Sequence, residues 1–385
     1  MPPQTAEHLV IGGGLAGSMV GSQLAAAGRA VTLLERERAA HHKVCGEFLS
    51  PEAVGYLKLA GVDPLGLGAQ TIRFVRLTSQ QRMVETALPF TALSVSRCVL
   101  DEVLLARAAE AGCRVERGAF VESLTAQDGL WQVSLRGGDA WTAPTVFLAN
   151  GKHDLRGLER EPGPHGDLVG FKLHWRLAAG QTEALREWIE LYLFRGGYGG
   201  LSLVEGDVAN FCLVVRRAAL HKLGGWPELL SAIKDENPHI AERLRGASAL
   251  WERPLAVSSI PYGYLAGRSL GLWAVGDQAA VIPSFTGDGM AIALHSGTLA
   301  AQMYLGGESA EDYHRMLRAH LSRSVGLATA LSRAMVTGVG RALAPEGLTI
   351  FPRTMHWIAK STRIPARALE QTRTFLQEQR RTSLR

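Results

Sequence analysis

Apolar positions set the rhythm of the N-terminal third. His8–Ile11 (HLVI) is a short apolar run that ends at Gly12, and 17–27 is a stretch of small residues with helical character, closed by Gly28. Residues 30–34 (AVTLL) make a second apolar run that ends at Glu35, which completes a strand–helix–strand unit. A polar stretch over 36–50 precedes a helix with Pro51 in its first position. Residues 101–111 (DEVLLARAAEA) repeat with helical period and stop at Gly112, and strand-like runs follow at 114–115, 131–135 and 145–148. Between about 152 and 269 the runs lengthen into strands mixed with one or two helices. There, 201–215 reads as a hairpin turning at Glu205-Gly206-Asp207. An apolar strand returns at 270–275, followed by a helix over 289–305 and Arg-rich helical sequence from Ala310 on. No repeat or low-complexity linker interrupts this order, so the middle segment is expected as an insertion into the first domain.

Composition narrows the class. With 385 residues, 46% of them hydrophobic, the chain can bury two packed layers or two joined domains. Its 43 glycines and 16 prolines are scattered, which suits a folded enzyme with many tight turns. Cys45, Cys98, Cys113 and Cys212 form no CxxC pair and no metal-ligand spacing, so no metal site is expected. Reduced thiols, the lack of a basic-then-apolar leader at Met1–His8, and the polar breaks His295, Ser296 and Gln302 in the most apolar helix together predict a cytoplasmic protein. Net charge is +5, but 315–385 carries 13 Arg and Lys against 3 Glu, or +10. That basic segment is read as a helical cover over the substrate domain with its arginines in water, the competing reading being peripheral contact with an anionic membrane. Nothing in the pattern calls for nucleic acid.

The sharpest chemical signal is Gly12-Gly13-Gly14-Leu15-Ala16-Gly17, a GxGxxG between a strand and a helix. Gly12 permits the turn, Gly14 lets the backbone approach a pyrophosphate, and Gly17 lets helix and strand close up. The N–H groups that begin the helix at Leu15 and Ala16 face the phosphates with the positive end of the helix dipole. Glu35 stands 18 residues after Gly17, where an acid binds ribose hydroxyls, with Arg36 beside it. This is a dinucleotide site, and no second such fingerprint follows.

Far along the chain, Trp273-Ala274-Val275-Gly276-Asp277 is an apolar strand entering Gly-Asp, followed by Pro283 and Thr286-Gly287-Asp288-Gly289-Met290. This resembles the Gly-Asp motif of the geranylgeranyl reductase and p-hydroxybenzoate hydroxylase (group A flavoprotein monooxygenase) superfamily, over roughly residues 8–305. The resemblance implies FAD, with Asp277 on its ribityl chain and the backbone of Gly287, Gly289 and Met290 on its pyrimidine ring. It also implies cofactor contacts from Arg97 and from Gly151 in Ala149-Asn150-Gly151. The expected fold is α/β: a Rossmann-like FAD-binding domain (1–151 and 270–308) with an inserted α+β substrate domain containing a mixed sheet. That insertion covers 152–269 with part of 65–97, and 309–385 follows as a C-terminal helical segment.

Lys43-Val44-Cys45-Gly46-Glu47 resembles the cysteine–glycine motif of the reductases, which places Cys45 and Gly46 against flavin and substrate. The reductases' Tyr-x-Trp-x-Phe-Pro signature is reduced here to Tyr198 in Tyr198-Gly199-Gly200-Leu201-Ser202-Leu203, and the halogenases' Trp-x-Trp-x-Ile-Pro element is absent. His174, Trp175 and Arg176 lie on a strand whose alternate residues are expected to face the substrate. His41-His42 are read as solvated loop residues, and His295 as a packed core histidine. The favoured activity is monooxygenation of a hydrophobic or aromatic small molecule through a flavin hydroperoxide. The alternatives are a reductase of carbon–carbon double bonds and a protein in which FAD has no redox role. NAD(P)H docking transiently, or an electron-donor protein, is the expected source of electrons.

Overall fold

A computed structural model describes residues 3–161, 163, 165–267, 269–338 and 353–372. Five parallel strands form the first sheet, in the order Trp273–Ala274, Thr145–Leu148, His8–Ile11, Val31–Glu35, Arg114–Arg117. Their apolar runs are buried because helices Leu15–Ala26, Arg97–Glu110 and Gly289–Leu305 cover the sheet. Gly12, at φ +105°, makes the turn out of the first strand, and an added Cβ there would lie 2.5 Å from the Ala149 oxygen. A small four-stranded sheet lies alongside, in the order Gln4–Thr5, Ala140–Ala143, Leu130–Leu135, Val121–Gln127.

A nine-stranded sheet forms the other half. It takes in Gln70–Ser79 and Arg82–Ser94 from early in the chain, and Leu168–Arg176, Glu187–Phe194, Gly197–Val204 and Val208–Arg216 from the middle. Gln70–Ser79 pairs with Glu187–Phe194 in parallel while the neighbouring pairs run antiparallel, so the sheet is mixed. One face buries Phe171, Leu173, Trp175, Phe211 and Leu213 under helices Arg217–Leu223, Trp226–Glu236 and Pro238–Arg243. The period of two puts Lys172, His174, Asn210, Cys212 and Ser202 on the opposite face, towards the first sheet.

Several elements differ from the sequence pattern. The helix expected from 101 begins one turn earlier, at Arg97, because the Ser96 hydroxyl accepts from Val99 N and caps it. The strand expected over 270–275 keeps only Trp273–Ala274; Leu270 is an exposed turn residue at φ +47°. Ser50 caps the Pro51–Leu59 helix, and the 201–215 hairpin turns through Glu205–Asp207, with Gly206 supplying the left-handed step.

Candidate functional site

Between the two large sheets runs one cavity of about 1000 Å3. It is lined by Gly12, Gly14, Leu15, Ala16, Glu35, Arg36, Cys45, Gly46, Arg97, Gly151, Tyr198, Gly276, Asp277, Gly287, Gly289 and Met290. At the first sheet, helix Leu15–Ala26 begins after Gly14 with no side chain capping its N–H groups and no acid in its first turn. A Cβ on Gly14 would stand 3.5 Å from Arg97 Nη2 and 3.6 Å from Lys43 Nζ. Uncapped donors, a positive dipole end and two cations around a glycine fit a pyrophosphate. Glu35 is buried, and its carboxylate accepts from Gly13 N (2.7 Å) and Glu37 N (2.9 Å), which fixes it beside this cradle.

Asp101 explains why both cations stay put. It accepts from Arg97 Nε (2.7 Å) and Nη2 (2.9 Å) and from Lys43 Nζ (2.8 Å). Burial works against its charge, but Arg97 and Lys43 hold the carboxyl below its usual range. On the far side, helix Gly289–Leu305 starts behind Gly287, at φ +70°, with Phe48 packed where a Cβ would be. The Asp277 carbonyl is held by Arg160 Nη1 (2.6 Å). The residues present therefore fit a dinucleotide cofactor such as FAD, with the cradle around Gly14 suited to its pyrophosphate.

Gly17 packs as its place in the fingerprint requires, since its Cβ would sit 1.9 Å from the Gly12 oxygen, and it does not line the cavity. Two further sequence candidates stand elsewhere. His174 does not line the cavity; its Nε2 meets Glu47 Oε2 at 3.0 Å, so the glutamate stands where the histidine was expected. Arg176 is exposed at its strand end, where the chain pairs with Ser248, and takes no part in the cavity. The reading of His41 and His42 as solvated is corrected too. Both are half-buried and line the cavity, and His42 packs on His174 and Trp251 with ring centroids 4.8 and 4.7 Å away. Burial, then Lys172, brings His42 down to about 4, so it is neutral at pH 7. His295 is a satisfied core residue, bonded to Tyr56 Oη (2.6 Å) and His320 Nδ1 (3.1 Å).

Pattern reading missed Lys43, Glu47, Asp101, Arg160 and Lys172. Asp101 was legible as a partner four residues after Arg97 on one helix face. Lys172 lies in a strand buried at eight of nine positions, which conceals a charged residue from any hydrophobicity reading. Beyond the cofactor residues the cavity turns apolar. Leu77, Leu88, Phe90, Leu191 and Leu193 come from the large sheet, and Leu331, Met335, Ile358 and Ala359 from the C-terminal helices Ala310–Met335 and Arg353–Ser361.

Residues 5–145 match the family model of the FAD binding domain. A menaquinone reductase from Mycolicibacterium smegmatis is 26% identical over 353 residues, covering 85% of this chain and 84% of that protein. A geranylgeranyl bacteriochlorophyll reductase-like protein from Thermoplasma acidophilum has the same fold, with a TM-score of 0.74, 18% identity and 96% of each chain covered. A halogenase solved with phloroglucinol and FAD superposes with a TM-score of 0.73 at 15% identity, covering 99% of this chain and 93% of that one.

Proposed function

We propose that this FAD-dependent oxidoreductase of the geranylgeranyl reductase and p-hydroxybenzoate hydroxylase superfamily saturates a carbon–carbon double bond in a long apolar substrate. The observation that carries the reading is continuity. A single cavity joins Gly14 and Asp277, through Cys45 and Gly46, to an aliphatic wall built by Leu331, Met335, Ile358 and Ala359. Such a wall binds by area, at roughly 25 cal/mol per Å2 of apolar surface, and keeps water from the reacting carbons. FAD, when bound, supplies the two electrons as hydride. The chain's part is to hold the double bond still and to keep protons close by. Burial pushes the Cys212 thiol up to about 12 and the Tyr198 phenol upwards, so both remain protonated at neutral pH along the cavity wall. Tyr198 Oη is fixed 3.2 Å from Ser332 Oγ. One relative that spans 85% of the chain is a menaquinone reductase by name, which favours the same direction.

Hydroxylation, first choice on the sequence, is the second reading. It suits a ring that carries an activating polar group, for which Tyr198, Tyr262, Ser284 and Thr362 line the cavity, while Arg363 is already paired with Glu52 and Asp288. Electrons arrive from NAD(P)H docking transiently or from a donor protein, in keeping with the single dinucleotide fingerprint. Incubating the reduced protein with candidate polyprenyl and aromatic substrates, with and without oxygen, separates the two readings. A product about 2 mass units heavier, formed without oxygen, supports saturation, and one about 16 units heavier that requires oxygen supports hydroxylation instead.

A further inference from the structure

Glu47 is the only buried residue among seven non-glycine residues with positive φ in the described chain; it stands at φ +57° with its side chain fully enclosed. A left-handed glutamate is unfavourable in itself and persists only where its surroundings over-determine it. Those surroundings use all of its polar groups. One carboxylate oxygen accepts from Arg97 N (2.8 Å) and from the ammonium of Lys172, and the other meets His174 Nε2 at 3.0 Å. The Glu47 carbonyl accepts from Ser94 Oγ (3.0 Å) and Val95 N (3.3 Å). Its own N–H donates to Cys45 Sγ at 3.4 Å.

We propose that Glu47 is a positioning residue: its N–H fixes the Cys45 thiol on the substrate side, and its carboxylate fixes the start of the Arg97 helix on the cofactor side and anchors the segment that carries that N–H. Lys172, fully buried, and His174 reach it from the large sheet, so the loop from the first sheet is clamped to the second. Asn210, also on the large sheet, holds the loop a second time by donating Nδ2 to the Cys45 carbonyl (3.1 Å). Burial penalises the charge on Glu47, and His174 and Lys172 more than offset it, keeping the carboxyl below its usual range. A buried anion at the entry to the edge strand Phe48–Leu49 and a buried cation on a more distant strand of the same sheet cost desolvation that packing alone would not require. Their placement specifies one geometry for the segment 45–47. A metal ion among His42, Glu47 and His174 is a poorer explanation, because the Lys172 ammonium already occupies the carboxylate. The importance of Cys45 rests on the reading of it as a cavity residue in the proposed reaction, but its position can be read without turnover.

The test is the rate at which iodoacetamide alkylates Cys45 in the FAD-loaded protein, followed by peptide mapping across pH 6–10. Glu47→Gln removes the charge and keeps the shape; Glu47→Gly keeps the left-handed backbone and removes the carboxylate; Glu47→Asp retains the charge but shortens its reach. In Gln and Gly, Cys45 should react at least fivefold faster across the pH range, because the carboxylate no longer ties segment 45–47 to Arg97, Lys172 and His174. Asp should fall between these and the unsubstituted protein. If Gln or Gly does not fold, the Asp profile decides alone. An unchanged Cys45 rate and profile in every variant that retains FAD would reduce Glu47 to a packing residue. That result would leave the saturation reading intact, since no substrate enters the measurement.

Discussion

Gly14 and Gly17, three residues apart, are exposed to different failures. A Cβ on Gly14 makes only ordinary contacts with Lys43 and Arg97, so Gly14→Val should fold normally and lose FAD, because the branched side chain fills the approach to the pyrophosphate. Gly17→Val should instead destabilise the protein, since even its Cβ would sit 1.9 Å from the Gly12 oxygen. Thermal melts with and without added FAD separate the two effects. Equal loss of melting temperature in both variants would contradict this division. At Asp277, replacement by Ala should weaken FAD by about 1–3 kcal/mol, roughly 5- to 150-fold in Kd, by leaving ribityl hydroxyls without an acceptor. Titration of the FAD-free protein measures it, and an unchanged Kd would remove Asp277 from the site. The glycines and Asp277 were legible because their work is done by backbone shape and by a motif. Glu47 was not, since neither its positive φ nor its partners on a distant strand leave a mark in the local sequence.

At the scale of elements, the helix Gly289–Leu305 was readable to its bounds from its apolar run and the glycines ahead of it. Its one histidine carries a pH prediction. Burial, then the neighbouring His320, lowers His295 from 6.5 to about 3. Its folded value is depressed, so the stabilisation from the neutral ring is complete above about pH 6.5 and is lost as pH falls towards 3. The loss is roughly 1.4 kcal/mol per pH unit in that window. His295→Gln should be less stable at pH 7 by about 1–3 kcal/mol, through the broken bonds to Tyr56 and His320. It should also lose stability less steeply below pH 6. Urea midpoints at pH 7 and pH 4.5 check both signs, and parallel declines for the two proteins would contradict the assignment. The start of the Arg97–Glu110 helix was misplaced for a physical reason. Arg97 and Cys98 extend no apolar stripe, and the cap at Ser96 is a local hydrogen bond that periodicity does not register.

At the scale of the whole molecule, the pattern indicated a strand–helix–strand domain interrupted by an insertion of longer strands, and the family resemblance added the mixed sheet, which the structure contains. The pattern could not show that Gln70–Ser79 pairs with Glu187–Phe194 across more than a hundred residues, nor that the C-terminal helices wall the cavity. The helix Ala310–Met335 buries Tyr313, Leu317, Leu321 and Val325 against the first core and leaves Arg315 and Arg323 exposed, and no described helix is long and apolar enough to cross a membrane. We therefore expect the described part of the basic segment, 315–338 and 353–372, to act as a cover; 339–352 and 373–385 lie outside the described residues. In sedimentation with anionic vesicles the protein should stay in the supernatant at low and high salt, and pelleting at low salt that high salt abolishes would contradict the cover.

The central claim is that electrons held on FAD pass to a double bond lodged in the apolar cavity. The most direct measurement reduces the protein to its bleached form without oxygen and mixes it, still without oxygen, with a long polyprenyl substrate. We predict that the yellow colour of oxidised flavin returns at a rate that saturates with substrate, and that one double bond is lost for each flavin reoxidised. A protein that stays bleached until oxygen is admitted would contradict the claim.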